Sequence, residues 1–501
     1  MVGKPGLGDL RLLLSYAGKT VLVVALLELA PLATALLAGE WAVAVDFLVG
    51  AGAALASGLA LAALGATDEK PGWIHGMAAA AISWILAALL AAIPYWLSGH
   101  FASYLDAVFD AMSGFTTTGL VLMADLDHAS IALTMWRHVI TFAGGQGMVV
   151  LALALILRDT RGGYPLYVGE GKDERLFPSV AHTAKAIWKI SMGYLVAGTA
   201  VFAAAGLAIG LGPMSAFLNG LWMFMTSWST GGFAPMSQSV LYYHSGLYEA
   251  VTLVFFTLGS LNFALHNAVL GGNRAEFRKN LESRTFAATL AVLSIVACGA
   301  LARAGAYPGF TTLFRKGFYL MASGHTTTGL MNVYARQFAL DWGDIALLAM
   351  IIAMLLGGSA CSTAGGFKAL RVGIIWKGLV REARRLLAPS SALVEQRYWY
   401  HGERTLEDGI LRNASFIVIL YCGTFALASL AGTIAGYPFL DSVFEGASVT
   451  GNVGLSIGLT SAAMPWALKV VYILVMWAGR LEFTAAIALA GLVAAFARRR
   501  A

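Results

Sequence analysis

Ser113-Gly-Phe-Thr-Thr-Thr-Gly-Leu120, Thr226-Ser-Trp-Ser-Thr-Gly-Gly-Phe233, Ser323-Gly-His-Thr-Thr-Thr-Gly-Leu330 and Ser448-Val-Thr-Gly-Asn-Val-Gly-Leu455 are four versions of one segment. In each, a hydroxyl residue precedes a glycine by six positions: Ser113/Gly119, Thr226/Gly232, Ser323/Gly329 and Ser448/Gly454. The likeness extends upstream, where Tyr104-Leu-Asp-Ala-Val-Phe-Asp-Ala-Met-Ser113 parallels Phe439-Leu-Asp-Ser-Val-Phe-Glu-Gly-Ala-Ser448. A bilayer takes roughly 20 helical residues, so this stretch reads as a half-helix that ends at a Thr/Gly loop. Self-similarity of this kind marks an internally repeated architecture.

The surroundings fix the solvent. Of 501 residues, 58% are hydrophobic and only 12% charged, with a mean hydropathy of +0.74. Soluble domains are about a quarter charged. Apolar runs at 21–37, 77–97, 192–211, 287–301, 345–356 and 416–434 reach or approach spanning length. The pattern predicts an all-α polytopic membrane protein. It has four membrane helix–pore half-helix–helix repeats around one central pore, preceded by two extra transmembrane helices near 20–38 and 42–66. The division expected is 1–72 for the leading helices, then pore repeats at 73–179, 180–283, 284–408 and 409–501. That gives about ten full spans, with the first helix uncleaved.

The net charge of +6 reads as topology, not as nucleic-acid binding. Arg158, Arg161, Lys172, Arg175, Lys185 and Lys189 follow the first repeat. Arg274, Arg278, Lys279 and Arg284 follow the second, and Lys377, Arg381, Arg384, Arg385, Arg397 and Arg404 the third, with Arg498-Arg-Arg500 at the end. All alternate onto one side, the cytoplasmic one. Arg303, Arg315 and Lys316 are a minority on the other side, where the Thr/Gly loops open and Asp125, Asp127 and Asp341 lie near the mouths.

Non-helical backbone is tolerated at membrane depth only where protein or a water-filled cavity shelters it. Four Gly/Thr loops between half-helices and full helices meet that condition. Glycine permits the angles that turn carbonyls inward, and closely spaced carbonyls replace an ion's water shell. The half-helices aim their partially negative C-termini at the centre, which favours a cation. One such loop could be an ordinary turn; four at the same place in a repeated unit argue for a pore. A secondary transporter with broken helices is the competing reading, but four equivalent units with backbone-type ligands fit a pore better. A membrane enzyme would need a Ser/His pair or an HExxH, and neither occurs. Cys298, Cys361 and Cys422 show no CxxC and no metal spacing, and read as packing residues.

Gly357, Gly358, Ser359, Ser362, Thr363, Gly365 and Gly366 interrupt the last helix of the third repeat. Each glycine costs a helix about 1 kcal/mol relative to alanine, so the helix is expected to break. The tract is either a close helix crossing or an intramembrane loop. Arg480 lies inside the last apolar helix, where a charge is paired or functional. It either pairs with Glu482 or faces the cavity. Arg137 and Asp110 are a possible outer pair, His266 reads as a packing residue on the same helix face as Asn262, and His325 as a loop anchor.

Together these motifs resemble the TrkH/KtrB potassium-uptake membrane subunits, the TrkH branch in particular. The resemblance rests on Thr116-Thr-Thr-Gly119, Thr326-Thr-Thr-Gly329 and Asn452-Val-Gly-Leu-Ser456, on Trp136-Arg137 with Gly144-Gly-Gln-Gly-Met-Val-Val150, and on Asn262-Phe-Ala-Leu-His266. It rests also on Gly357-Gly-Ser-Ala-Cys-Ser-Thr-Ala-Gly-Gly-Phe-Lys368 and Gly479-Arg-Leu-Glu482. It implies potassium selectivity at Gly119, Gly232, Gly329 and Gly454. The implied ion-binding loops are Thr116, Thr117, Thr118 and Gly119; Thr230, Gly231 and Gly232; Thr326, Thr327, Thr328 and Gly329; and Asn452, Val453 and Gly454. The 357–366 tract becomes a gate facing Arg480. It further implies potassium (or rubidium) ions in the filter with no covalent cofactor, membrane lipid, a homodimer, and TrkA-like nucleotide-binding subunits on the cytoplasmic face of a multi-pass cell-membrane protein, as in a bacterial inner membrane. No GxxxxGK[ST] occurs in this chain, so nucleotide would bind the partner. Candidate docking surfaces are 167–178 and 377–408. The departures are Ser229-Thr-Gly-Gly-Phe233, where the family usually has Asn-Asn-Ala-Gly-Phe, with Gln146 and Cys361 at positions where Met or Ile, and glycine, are common.

Overall fold

Two long helices, Leu7–Ala38 and Trp41–Leu64, stand ahead of four units that each contain a short helix running into a Thr/Gly loop. A computed structural model describes residues 6–67, 72–157, 163–171, 179–389 and 394–500. Arg158, Arg161, Lys172 and Arg175, and residues 68–71 and 390–393, lie outside the described residues. The first helix starts at Leu7, well before the predicted residue 20: the mildly polar 7–19 stretch packs on its neighbours, with Leu12, Leu13, Tyr16 and Ala17 buried.

The chain is an all-α, multi-pass membrane protein. Among the described residues, six helices are long and apolar enough to span a membrane, and three further pairs do so only as bent pairs. Each unit opens with a long helix: Trp73–Leu97, Val180–Ala208, Leu281–Ala304 and Asp408–Ile434. The short helices are Tyr104–Phe115, Pro213–Trp228, Tyr319–His325 and Phe439–Gly451. Tyr319–His325 is prolonged upstream by a π-helical turn, Phe314–Phe318.

The closing helices differ from expectation. A break was foreseen only in the third unit, but all four are broken. Ile131–Gln146 turns by 84° into Met148–Leu155, Gly246–Gly259 by 99° into Phe263–Leu270, and Trp466–Arg480 by 115° into Thr484–Arg498. Gly343–Leu356 ends at Gly357 and resumes as Ala369–Leu387. The physical reason is close packing on the half-helix of the same unit. A Cβ on Gly144 would lie 1.9 Å from the Phe115 carbonyl oxygen, on Gly259 2.0 Å from that of Trp228, and on Gly479 2.6 Å from that of Thr450. These three closing helices therefore pass against the C-terminal end of their own half-helix and do not continue straight through the protein's centre.

Charged side chains staple the units together, each through at least one buried partner. Lys469 donates to Asp106 at 2.5 Å, joining the fourth unit to the first. Arg315 forks onto Glu249 at 2.7 and 2.8 Å, joining third to second. Lys316 donates to the Asn332 carbonyl. Arg315 and Lys316, two of the cations expected on the outer side, are thus consumed in packing.

On the basic side, a two-stranded hairpin (Arg397–Trp399 with Glu403–Thr405) docks on Glu276. The Trp399 indole donates to that carboxylate at 3.0 Å, the His401 amide at 2.9 Å and Asn280 at 3.1 Å. Burial alone would raise the Glu276 carboxyl; these donors outweigh it and hold the group below its ordinary value of 4.5. A depressed carboxyl stabilises the docked hairpin above about pH 4.5, and that contribution is lost as pH falls through the folded value. Hydrogen exchange of 397–405, corrected for intrinsic rates, is expected to quicken at pH 3.5, and Glu276→Gln to produce the same loosening at pH 7.

Candidate functional site

The four Thr/Gly loops begin as one helix-ending motif repeated four times. In each, the amide five residues after the hydroxyl residue returns to its carbonyl: Thr118 to Ser113 (2.8 Å), Gly231 to Thr226 (2.9 Å), Thr328 to Ser323 (2.8 Å) and Val453 to Ser448 (2.9 Å). The amide before it reaches three residues back: Thr117 to Gly114, Thr230 to Ser227, Thr327 to Gly324 and Asn452 to Val449. This is the Schellman pattern, which requires a left-handed residue at its centre and usually takes glycine. Here the left-handed residues are Thr117, Thr230, Thr327 and Asn452, with φ of 56°, 50°, 55° and 54°. Asparagine tolerates that region; a β-branched residue is an outlier there, at a cost of order 1–3 kcal/mol each.

Two residues on, Gly119, Gly232, Gly329 and Gly454 are left-handed as well, at 84°, 70°, 77° and 89°. The loops close into a ring at these glycines. A Cβ on Gly119 would lie 2.7 Å from the Gly231 carbonyl oxygen, on Gly232 2.6 Å from that of Thr328, on Gly329 2.0 Å from that of Val453, and on Gly454 2.0 Å from that of Thr118. Each loop thus presses its carbonyl against the next, first to second to third to fourth and back to first. The side chains at the level of those carbonyls are Thr, Gly, Thr and Val, so only the backbone supplies the same group four times.

On the outer side, the four glycines line a cavity of about 290 Å³ together with Arg137, Ser456 and Thr460. Asp110 and Arg137 do not form a direct ion pair there. Asp110 accepts the Leu122 amide at 2.6 Å, and Arg137 donates to the Ala234 carbonyl at 2.9 Å while stacking on Phe233 at 4.4 Å. Each pins the chain leaving one loop. Glu445 does the same in the fourth unit, accepting from Ser456 and Thr460.

On the inner side, residues 357–368 cross directly beneath the ring. Thr363 Oγ1 donates to the carbonyls of Gly259 (2.8 Å) and Trp228 (3.1 Å) and meets Thr230 Oγ1 at 3.1 Å. The Gly365 amide donates to Thr327 Oγ1 at 2.7 Å, and the Ser359 amide to the Ser260 carbonyl at 2.9 Å. A Cβ on Gly365 would sit 2.1 Å from the Gly451 carbonyl. Gly357 and Gly366, at φ of 72° and 74°, face each other across the neck of this loop. Beyond it, Lys368 approaches Glu482 at 4.0 Å and Arg371 donates to it.

Arg480 is buried and does not pair with Glu482. Its guanidinium donates to the carbonyls of Thr363 (2.6 Å), Gly144 (2.7 Å) and Gly145 (3.1 Å), and to Thr117 Oγ1 (3.3 Å), with its carbon 6.0 Å from the Trp84 ring centre. The strained threonines now have a reason. The hydroxyls of Thr117, Thr230 and Thr327 are the atoms by which three loops touch Arg480 or the 357–368 segment. Asn452, the fourth, donates to Thr118 Oγ1 at 3.0 Å and to the Met476 carbonyl at 2.9 Å.

All of the residues singled out in the loops, the glycine tract and Arg480 converge on this one axis. His266 is a packing residue, held to the Leu258 carbonyl at 2.9 Å among Trp228 and Tyr194. His325 is tied to Thr289 Oγ1 at 2.8 Å. Sequence reasoning missed Glu170. It lies within the 167–178 stretch expected to be a docking surface, yet it is buried and accepts the Val149 and Val150 amides at 2.8 Å each, capping the turned half of the first closing helix. Tyr167 is buried too, so this part of the stretch is packed inside the protein; 172–178 lie outside the described residues.

The family described as TrkH, cation transport protein, matches residues 50–296 and 311–494. The chain is 30% identical to an uncharacterized cation transporter of Methanocaldococcus jannaschii, over 81% of this chain and 80% of that one. It is 29% identical to the Trk system potassium uptake protein TrkG of Escherichia coli, over 76% of each, and 28% identical to TrkH of Halomonas elongata, over 95% and 97%. The crystal structure of the potassium transporter TrkH from Vibrio parahaemolyticus superposes with a TM-score of 0.80 at 24% identity, covering 95% of this chain and 97% of that one, and so shares the fold.

Proposed function

This chain belongs to the TrkH family of cation transport proteins, transporters and not enzymes, and on that premise we propose that it takes up potassium through the ring of four Thr/Gly loops. The units act as four pore repeats, 73–179, 180–283, 284–408 and 409–501, behind two leading helices at 1–72. The observation that carries the reading is the closure of the ring, glycine against the carbonyl of the next loop, all the way round. The backbone of each loop alternates between left-handed and ordinary residues, which turns successive carbonyls to one side. A dehydrated cation on the axis meets four equivalent oxygens at the level of Thr118, Gly231, Thr328 and Val453. The hydroxyls of Thr116 and Thr326, each 2.8 Å from the next hydroxyl but one, brace the two loops that carry three threonines. Four half-helix C-termini around the ring add a negative potential at mid-membrane. Potassium is the cargo and leaves unchanged; no covalent cofactor takes part.

The 357–368 segment is the gate and Arg480 its electrostatic lock. In this closed arrangement, a guanidinium sits under the ring where an inward-moving cation would pass. Opening requires the segment to leave Thr230 and Thr327, so gate movement is felt directly at the inner end of the filter. Relatives with full-length coverage carry names that place them in Trk systems. Their regulatory subunits would reach this chain on its basic side, where the exposed end of Ala369–Leu387, a direct continuation of the gate, is the mechanical handle. We assign homodimer formation to the same family pattern.

The test is rubidium uptake into liposomes holding the purified chain, with potassium and sodium as competitors. Block by potassium and not by sodium is expected. Equal block by both ions sinks the selective-filter reading, and uptake that depends strictly on a co-ion gradient replaces the pore with a carrier.

A further inference from the structure

Beside the second closing helix, on the basic side, lie two cavities that meet at two shared residues. The larger, about 510 Å³, runs between Leu261, Phe286, Ala287, Leu290 and Phe318 and has Arg278 and Arg284 in its wall. The smaller, about 310 Å³, runs between Tyr194, Leu258, Leu265, Val269 and Leu270 and has Arg274 in its wall. Both share Leu261 and Phe277, and the Phe277 ring is half exposed. The linings are overwhelmingly apolar, and the only charges in them are three arginines of one sign.

Those arginines have no carboxylate partner among the described residues. The acidic side chains on the same stretch are already engaged: Glu276 with Trp399, His401 and Asn280, and Glu282 with the Ala360 amide at 2.5 Å. Arg274 caps the short helix Ala275–Lys279, Arg278 lies within it, and Arg284 lies in the first turn of the spanning helix Leu281–Ala304 that follows; by the excess of basic residues this is the cytoplasmic side. The cytoplasmic leaflet is the anionic one, and each nearby basic residue adds to its attraction. Two apolar troughs on either side of a phenylalanine, capped by guanidiniums, have the shape and charge of a two-chain amphiphile with an anionic head.

We propose that this double groove binds one anionic phospholipid of the inner leaflet, one acyl chain on each side of Phe277 and the phosphate on Arg278 and Arg284. Nothing in it depends on which ion the chain carries. The lipid would lie against the break at 260–262, and the carbonyls of Gly259, just before it, and Ser260, within it, hold the gate segment.

The test uses the delipidated full chain in detergent, titrated with phosphatidylglycerol or phosphatidylcholine of matched acyl chains, with retention counted by native mass spectrometry. The wild type is expected to keep one phosphatidylglycerol per chain with a preference of about tenfold over phosphatidylcholine. Arg278→Ala with Arg284→Ala is expected to abolish the preference; both side chains are exposed, so folding is not at stake. Ala287→Trp keeps every charge but fills the larger trough, and is expected to lower retention of both lipids. Arg303→Ala, on the opposite membrane face, is the control and should change nothing. Equal retention of the two lipids by the wild type overturns the proposal. So does a preference that survives the double variant, undiminished retention with the trough filled, or an equal loss in the control.

Discussion

Gly329→Ala and Gly454→Ser are expected to remove most of the discrimination between potassium and sodium, at least about tenfold, or about 1.4 kcal/mol. In both positions a Cβ would lie 2.0 Å from the carbonyl oxygen of the neighbouring loop, Val453 and Thr118 respectively. Neither neighbour is a flexible side-chain tip that could swing aside; each is backbone, and each oxygen is one of the four proposed ion ligands. The left-handed angles, 77° and 89°, add roughly 1–2 kcal/mol for any residue with a Cβ. Relief requires the loop to move outward, which opens the ring on one side and leaves a cation with unequal oxygens. Gly119→Ala and Gly232→Ala meet their neighbours at 2.7 and 2.6 Å and are expected to be milder. The readout is the ratio of potassium to sodium competition against rubidium uptake, on protein that remains monodisperse. A folded Gly329→Ala chain with the wild-type ratio would mean that this ring is not the filter.

Arg480→Ala is expected to raise rubidium uptake about tenfold or more in the absence of any partner subunit, with the ion ratio unchanged. The guanidinium makes four hydrogen bonds to Thr363, Gly144, Gly145 and Thr117. Hydrogen bonds to charged groups contribute roughly 1.5–3 kcal/mol each, so their loss releases the gate segment from the first and fourth units. Removing the positive charge under the ring also removes a repulsion that low local dielectric strengthens. Arg480→Lys separates the two effects. It keeps the charge but not the planar fork, so uptake should stay nearer to wild type. Thr363→Val is the matched gate variant. It keeps the shape and deletes the hydroxyl that meets Gly259, Trp228 and Thr230; at about 1 kcal/mol per neutral bond, a rise of several-fold is expected. If Arg480→Ala instead lowers uptake and melting temperature together, the residue is a structural tie and not a lock.

Much of this was legible because the sequence says it four times. The hydroxyl-to-glycine spacing located every loop, and the glycines at its end are the residues that the ring closure requires. The glycine tract at 357–366 announced its break through composition alone. The other breaks were harder to read. Gly144-Gly-Gln-Gly, Gly259-Ser-Leu-Asn262 and Gly479-Arg-Leu-Glu482 lie inside runs whose hydropathy continues on both sides, and hydropathy registers length and not direction. Glu170 was misplaced for a related reason: a Gly-Glu-Gly-Lys-Asp-Glu stretch has the composition of a surface loop, and only the unsatisfied amides of Val149 and Val150 draw its carboxylate inside.

The sequence by itself determined the solvent, the half-helix before each Thr/Gly loop and the glycine at the end of each loop, because these depend on composition and on patterns within about ten residues. It did not determine what the loops touch. That Gly454 abuts Thr118, that Asn452 holds a hydroxyl 334 residues away, that Arg480 reaches the gate and not Glu482, and that three threonines sit in a strained conformation, one to meet Arg480 and two to meet the gate segment, were decided by the tertiary structure. Such contacts join distant parts of the chain, and their energies appear only when the four units close on one axis and each buried polar group must find a partner there.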